Sequence, residues 1–292
     1  MSMIYNRPSG KGMIFAGCSF TWGQGLYFYS NLETLINQEN KYGYGGSSIS
    51  LAQHKFKESI RFPRKVAEFF GSYEIVHPEN SGANDQIVNY WETCLESESP
   101  EEVENFLKTG TDKTTPMKYG EISHVFFQLT HYWRDKYYYE VDDRKINVPL
   151  QWNYVVEHQD YKEAFEKYLL ESGLNTGEVN KNALLASLDN VKRFLKRCEE
   201  NGIKTYIIIW PSEYLEYAYE DEWLCQRWIK MEYKNRVYPT IHKMIEENKE
   251  LSICEDLESF EIPPNDCHPS LSAHNAITLS IINFLANEEN KK

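Results

Sequence analysis

Paired cysteines are missing from this chain. Its six, Cys18, Cys94, Cys198, Cys225, Cys254 and Cys267, include no C-x-x-C arrangement. Zinc-ligand spacing is therefore absent and neither a structural metal nor another cofactor is expected. Long apolar runs are missing too. No stretch approaches the roughly 20 residues that span a bilayer, and the opening MSMIYNRPSGKG lacks the apolar centre of a secretory signal. A positive excess is the third absence: Lys and Arg number 31 against 44 Asp and Glu, a net charge of −13. Phosphate binding needs a basic surface, so nucleic acid is not an expected partner, and neither is a membrane. The negative charge reads as solubility through like-charge repulsion. Unpaired thiols and the missing leader fit a reducing, cytoplasmic setting. Internal repeats and low-complexity linkers are absent as well, so nothing calls for a second domain.

What is present is enough chain for a sizeable core and a high aromatic content. The 292 residues include 21 Tyr and 7 Trp, a composition that argues against disorder. Apolar runs alternate with helical patterns. GMIFAG (12–17) reads as a buried first strand ending in glycine. FPRKVAEFFG (62–71) reads as a helix stopped by Gly71, and YEIVHPE (73–79) as a second strand. NDQIVNYWETCLES (84–97) reads as a helix with Asn84 as N-cap, and ISHVFFQLT (122–130) as a third strand covered on both faces.

The clearest helix is 182–202, where Leu184, Leu185, Leu188, Val191, Phe194 and Leu195 recur at three- and four-residue steps before Gly202. IKTYIIIWP (203–211) follows as a fourth strand. A helical stretch near 222–248, a short strand near 251–257 and a last helix at 272–287 complete the pattern. Strands alternating with helices imply parallel pairing through crossovers. The expected fold is one α/β domain over 1–292, a three-layer α/β/α sandwich with a central parallel sheet of about five strands. Residues 97–120 read as a polar surface connection, and the aromatic-rich 131–180 as an inserted subdomain or lid.

In open parallel sheets ligands bind beyond the C-terminal strand ends. Those ends carry Gly17-Cys18-Ser19, then ENSGAND (79–85), QLTHYWR (128–134), WPSE (210–213) and, after the last strand, PPNDCHPS (263–270). Four of the five hold groups suited to acyl transfer. Ser19 suits a nucleophile, with a helix start behind it whose free N–H groups would face an oxyanion. His268 suits its base and Asp266 the group that orients the imidazole, since residues two apart in an extended segment project to one side. Gly82 lets a backbone N–H approach a substrate closely.

These residues resemble the SGNH, or GDSL-type, hydrolases. GCSFTWG is similar to the family's first block, with Ser19 at the serine and Cys18 where Asp is usual. NSGAND resembles the second block and places Gly82 in an oxyanion hole beside the Ser19 N–H. QLTHYWR stands at the third block, with Thr130 where the family's Asn would donate. DCHPSLSAHNAI resembles the last block, with Asp266 two residues before His268 rather than three. The resemblance runs in order from residue 13 to about 286. It implies the flavodoxin-like SGNH hydrolase fold and a metal-free serine esterase that removes an acetyl or other small acyl group from a small-molecule or carbohydrate ester.

Each residue also has a plainer reading. Ser19 suits a helix cap, Cys18 a small core residue, Gly82 a turn, and His268 and His274 structural roles. His131 and Arg134 suit a substrate carboxylate or sugar, or a rim ion pair. Trp22, Trp133 and Tyr137–Tyr139 suit an aromatic platform, or a lid's own contacts with the core. GYGGSS (43–48) lacks the Gly-Lys-Ser/Thr ending of a phosphate loop and reads as surface. Three alternatives remain open at this level: a non-catalytic carbohydrate- or protein-binding scaffold, an acyltransferase using the same triad, and thiol chemistry at Cys18.

Overall fold

Five buried residues, GMIFA, form strand β1 (Gly12–Ala16), which runs into a single helical turn, α1 (Ser19–Trp22). Helix α2 (Phe62–Phe69) and strand β2 (Tyr73–Val76) follow, then α3 (Asn84–Glu96) and strand β3 (Ile122–Leu129). A hairpin of β4 (Lys136–Val141) and β5 (Arg144–Pro149) and helix α4 (Gln159–Ser172) precede α5 (Thr176–Glu200) and strand β6 (Lys204–Ile209). Helices α6 (Leu215–Glu220) and α7 (Glu222–Arg227) lead to a second hairpin, β7 (Met231–Tyr233) and β8 (Arg236–Tyr238). Helices α8 (Ile241–Glu247) and α9 (Leu271–Glu289) close the chain. This computed structural model describes residues 10–23, 26, 57, 59–76, 83–96, 118–132, 136–141, 144–149, 159–253 and 268–290.

The central sheet is parallel, in the order β2-β1-β3-β6. Because side chains alternate along a strand, each strand feeds two cores. Ile14, Ala16, Val125, Phe127, Ile207 and Ile209 point to one, with Trp91 of α3 and Phe194 of α5. Met13, Phe15, Phe126, Tyr206 and Ile208 point to the other, with Phe62 and Val66 of α2 and Ile277 and Ile281 of α9. The result is an α/β arrangement with helices on both faces, compatible with a three-layer sandwich. From β1 the chain turns outward to β2 and then crosses back to β3, so the strand order reverses between β1 and β3. A crevice opens at such a point beyond the strand C-termini.

Local signals explain most boundaries. Asn175 caps α5 by accepting from the Glu178 N–H at 3.0 Å, and Glu178 accepts from the Asn175 N–H at 2.8 Å. At the other end Gly202, with φ +78°, lets the Ile203 N–H reach the Cys198 carbonyl at 3.0 Å. Helix α5 starts at Thr176, ahead of the expected 182. Before it, the described part of 131–180 includes the β4–β5 hairpin with α4 against both strands.

Two expectations need correction. The stretch 222–248 is not one helix: α7 stops at Arg227, and Met231–Tyr238 forms a hairpin turning on Lys234 and Asn235, with φ 48° and 61°. Two consecutive left-handed residues match the twist of a two-residue hairpin, and the alternating MEYKNRVY suits strands better than helix. Asn84 is not an N-cap either. It is the first helical residue of α3, and the Gln86 side chain accepts from the Ala83 N–H at 3.2 Å.

Among the described residues the sheet has four strands. Beyond β6 only Trp228 bridges to Ile207, with the Ile229 N–H donating to the Ile207 carbonyl at 2.9 Å. Of the expected strand near 251–257, Ser252 makes an antiparallel bridge to Pro269, and 254–257 lie outside the described residues. So do most of 97–120 and all of GYGGSS.

Candidate functional site

The turn after β1 is built around close approach. A Cβ on Gly17 would lie 2.2 Å from Thr21 Oγ1, 2.9 Å from Thr21 Cβ and 3.0 Å from Gln128 Cβ, so only glycine fits there. Thr21 donates to Gln128 Oε1, and Gln128 Nε2 donates to Cys18 Sγ at 3.4 Å. Cys18, Thr21 and Gln128 are all buried. One β3 side chain thus ties the β1 turn to the neighbouring strand at the sheet's reversal point. Helix α1 is a single turn closed by Gly23, whose φ is +82°. Any oxyanion stabilisation there falls to individual N–H groups rather than to a long helix dipole.

Phe20, next to Ser19, is the centre of an aromatic stack. Its ring lies 3.6 Å from Trp210, at 18°, and 4.7 Å from the His268 imidazole, at 37°. Trp210 directly follows β6, and its other neighbour is His242 at 6.3 Å. The residues after β1, after β6 and before α9 therefore converge on one edge. His268 is half-buried there, and its backbone is fixed on both sides. The Ile253 N–H donates to the His268 carbonyl at 3.1 Å, and the Ser270 N–H to the Leu251 carbonyl at 2.9 Å. Ser270 then caps α9 by accepting from the Ala273 N–H at 3.2 Å. The His-Pro-Ser run is thus a helix entry that presents the imidazole against α1.

The end of β3 is held by Asn84. Its Oδ1 accepts from the Thr130 N–H at 2.9 Å, and its Nδ2 lies 3.0 Å from the Thr130 carbonyl, 3.0 Å from Ser187 Oγ and 2.9 Å from Tyr214 OH. Tyr214 OH also donates to the Thr130 carbonyl at 2.9 Å. All four residues are buried. At the rim, His131 Nδ1 lies 3.1 Å from Glu213 Oε2, while Glu213 Oε1 accepts from the Tyr132 N–H at 3.1 Å.

His274 is buried within α9, against the α2 entry. Its Nδ1 accepts from the Phe62 N–H at 3.3 Å, its ring stacks on Phe62 at 5.6 Å, and its Nε2 has no partner among the described residues. Burial, reinforced by the nearby Lys65, His268 and Arg61, pushes its pKa down from 6.5 to about 3. A histidine so held is neutral in the folded protein and does not act as a base near neutral pH. The unfolded chain binds a proton there that the folded one does not, so between pH 6.5 and about 3 stability falls as pH falls. Above pH 6.5 this contribution is fully present. The His274→Gln variant is expected to lose stability less steeply over that window, by on the order of a few kcal/mol at its acid end. Urea midpoints measured across the window check this. His124, lowered to about 4 by burial and by Lys204, keeps the same sign of dependence in the variant.

Of the expected site residues, the structure brings His268 and the Ser19 backbone to one edge through Phe20, and places Thr130 and His131 after the adjacent strand. Ser19 and Trp22 are described in backbone only, and Gly82, Arg134 and Asp266 lie outside the described residues, as does Trp133. Sequence reasoning missed Gln128, Phe20, Glu213 and the structural task of Asn84. The signal for Gln128 was one polar residue within the apolar C-terminal half of β3, VFFQL. Among the described residues no three His, Cys, Asp or Glu side chains group as a metal site, and no helix is long and apolar enough to cross a membrane. No family model, curated protein or solved structure matches the chain, so what this edge can do has to be read from its own residues.

Proposed function

We propose that the chain is an SGNH-type serine esterase acting on small acyl esters. The observation that carries this is the His268 imidazole resting 4.7 Å from Phe20, the residue after Ser19, at the reversal point of a parallel sheet. Residues some 250 apart in sequence meet where parallel α/β sheets hold ligands. In this reading the Ser19 hydroxyl attacks the ester carbonyl and passes its proton to His268, which Asp266 orients. The oxyanion is held by the N–H groups of Ser19 and Gly82, with Thr130 as a further donor. Collapse of the tetrahedral intermediate expels the alcohol, which takes the proton from His268. Water, activated by the same imidazole, then releases the acid and regenerates Ser19. The same acyl-enzyme would serve a transferase if an acceptor alcohol replaced water.

The expected fifth strand, the SGNH fold and the single domain belong to this proposal. So does the cytoplasmic setting, which suits the free thiols of Cys18, Cys94, Cys198 and Cys225. Cys18 is a poor rival nucleophile. It is fully buried and its sulfur accepts from Gln128, whereas a reactive thiolate needs access and a base or cation. A fluorophosphonate probe tests the reading. Wild type and Cys18→Ala should be labelled covalently, and Ser19→Ala should not. An unlabelled wild type from pH 6 to 9 would instead make the chain a binding scaffold.

A further inference from the structure

A cavity of about 600 Å3 lies at the opposite end of the sheet, beneath the strand N-termini. That volume is in the range of small-ligand pockets. Six residues of β3 separate His124, which lines it, from Thr130 at the candidate site, or roughly 20 Å along the strand. The proposed esterase chemistry has no use for anything at this end.

The strand register explains why the cavity exists. Met13, His124 and Lys204 are aligned across β1, β3 and β6, forming a row on the α2/α9 face. The next row, Phe15, Phe126 and Tyr206, is fully apolar or aromatic and lies under the helices. The His124 ring stacks at 6.0 Å on Phe126 and 6.1 Å on Tyr206. Beyond it α2 has ended at Phe69 and α9 is in its last turns, so the first row is left open between them. A histidine and a lysine replace the apolar residues that would close a plain core.

The charges around this opening do not cancel. Glu199 is engaged by Arg227, at 2.5 and 3.1 Å, and by the Thr205 hydroxyl. Glu288 accepts from Tyr206 OH at 3.3 Å. Lys11 and Lys204 line the cavity and have no ion-pair partner among the described residues. Three cations, Lys11, Lys204 and Arg227, face two carboxylates, Glu199 and Glu288, so the opening keeps an excess of positive charge in a chain of net charge −13. His124 completes the set. Ser123 Oγ donates to the Gly12 carbonyl at 3.0 Å and so accepts from His124 Nδ1 at 2.9 Å, which leaves Nε2 as an acceptor.

We propose that this cavity is a second ligand site, taking a small hydroxylated organic anion. Lys11 and Lys204 attract the anionic group, Met13, Tyr206 and Leu285 receive the apolar body, and His124 Nε2 accepts from a hydroxyl. The three features distinguish such a ligand from a bare inorganic anion, which would use only the lysines, and from a neutral apolar molecule, which would use only the floor.

Calorimetric titration with 4-hydroxybenzoate tests the site, with benzoate, phenol and inorganic phosphate as comparisons. The expected result is saturable binding of 4-hydroxybenzoate, with a Kd on the order of 1 mM or tighter, and weaker binding of all three comparisons. A Lys11→Gln/Lys204→Gln variant should weaken binding by about tenfold or more. Both lysines are exposed, so the variant is expected to fold as the wild type does, and fluorophosphonate labelling of Ser19 should be unchanged. Absence of saturable binding to wild type overturns the proposal, and so does binding that the double variant leaves intact. Either failure would leave the esterase reading untouched, since that is read from labelling at the other end of the sheet.

Discussion

Replacing His268 by alanine is expected to lower kcat on an activated acetyl ester by about 10²–10⁴-fold, the usual contribution of a positioned general base. The thermal midpoint should move little by comparison. The imidazole is half-buried at the edge, and the backbone bonds that fix it, Ile253 N–H to His268 carbonyl and Ser270 N–H to Leu251 carbonyl, do not use its ring. Losing the ring removes one face of the Phe20 stack, while the 3.6 Å contact with Trp210 remains. A variant within about threefold of wild-type kcat would show that His268 is structural.

Whether a feature was legible in the sequence depended on how far apart its parts lie. Strands β1, β3 and β6 announce themselves because a parallel strand covered on both faces needs a continuous apolar run, which MIFA, VFF and YIII supply. Helix α5 is readable because its apolar period, its Asn175 cap and Gly202 all point to the same span. The hairpin of β7 and β8 was lost because three-residue strands carry too little alternation to stand out from the helices beside them. At the site, the order of blocks predicted that Ser19 and His268 would share an edge. The Phe20 contact that now relates them was not readable, because a ring stack leaves no spacing rule. Gln128 and Asn84 are harder still. Each is a single polar residue whose partners come from distant segments, so nothing near it in the chain says that its donors and acceptors will be met.

Asn84 therefore carries the largest expected effect on stability. Its amide treats the Thr130 peptide as a strand neighbour would, accepting from the N–H at 2.9 Å and approaching the carbonyl at 3.0 Å. An alanine there leaves the Thr130 N–H without that acceptor and removes a donor from Ser187 and Tyr214, all in buried surroundings. Each buried group left unsatisfied costs about 1–3 kcal/mol, so Asn84→Ala is expected to lose roughly 3 kcal/mol or more. For a chain of this size that lowers the thermal midpoint by about 2–4 °C per kcal/mol. Tyr214→Phe should lose less, since Thr130 would still be clamped by Asn84. Because both side chains reach the same carbonyl, their losses should not add; a double-mutant cycle should show coupling of about 0.5–3 kcal/mol. Additive effects, or an Asn84→Ala loss below about 0.5 kcal/mol, would mean that water replaces the amide at little cost. The functional consequence follows from the same clamp. Thr130 directly follows β3 at the edge where the oxyanion would sit, so a variant that still folds but frees Thr130 should lose kcat beyond what its stability explains.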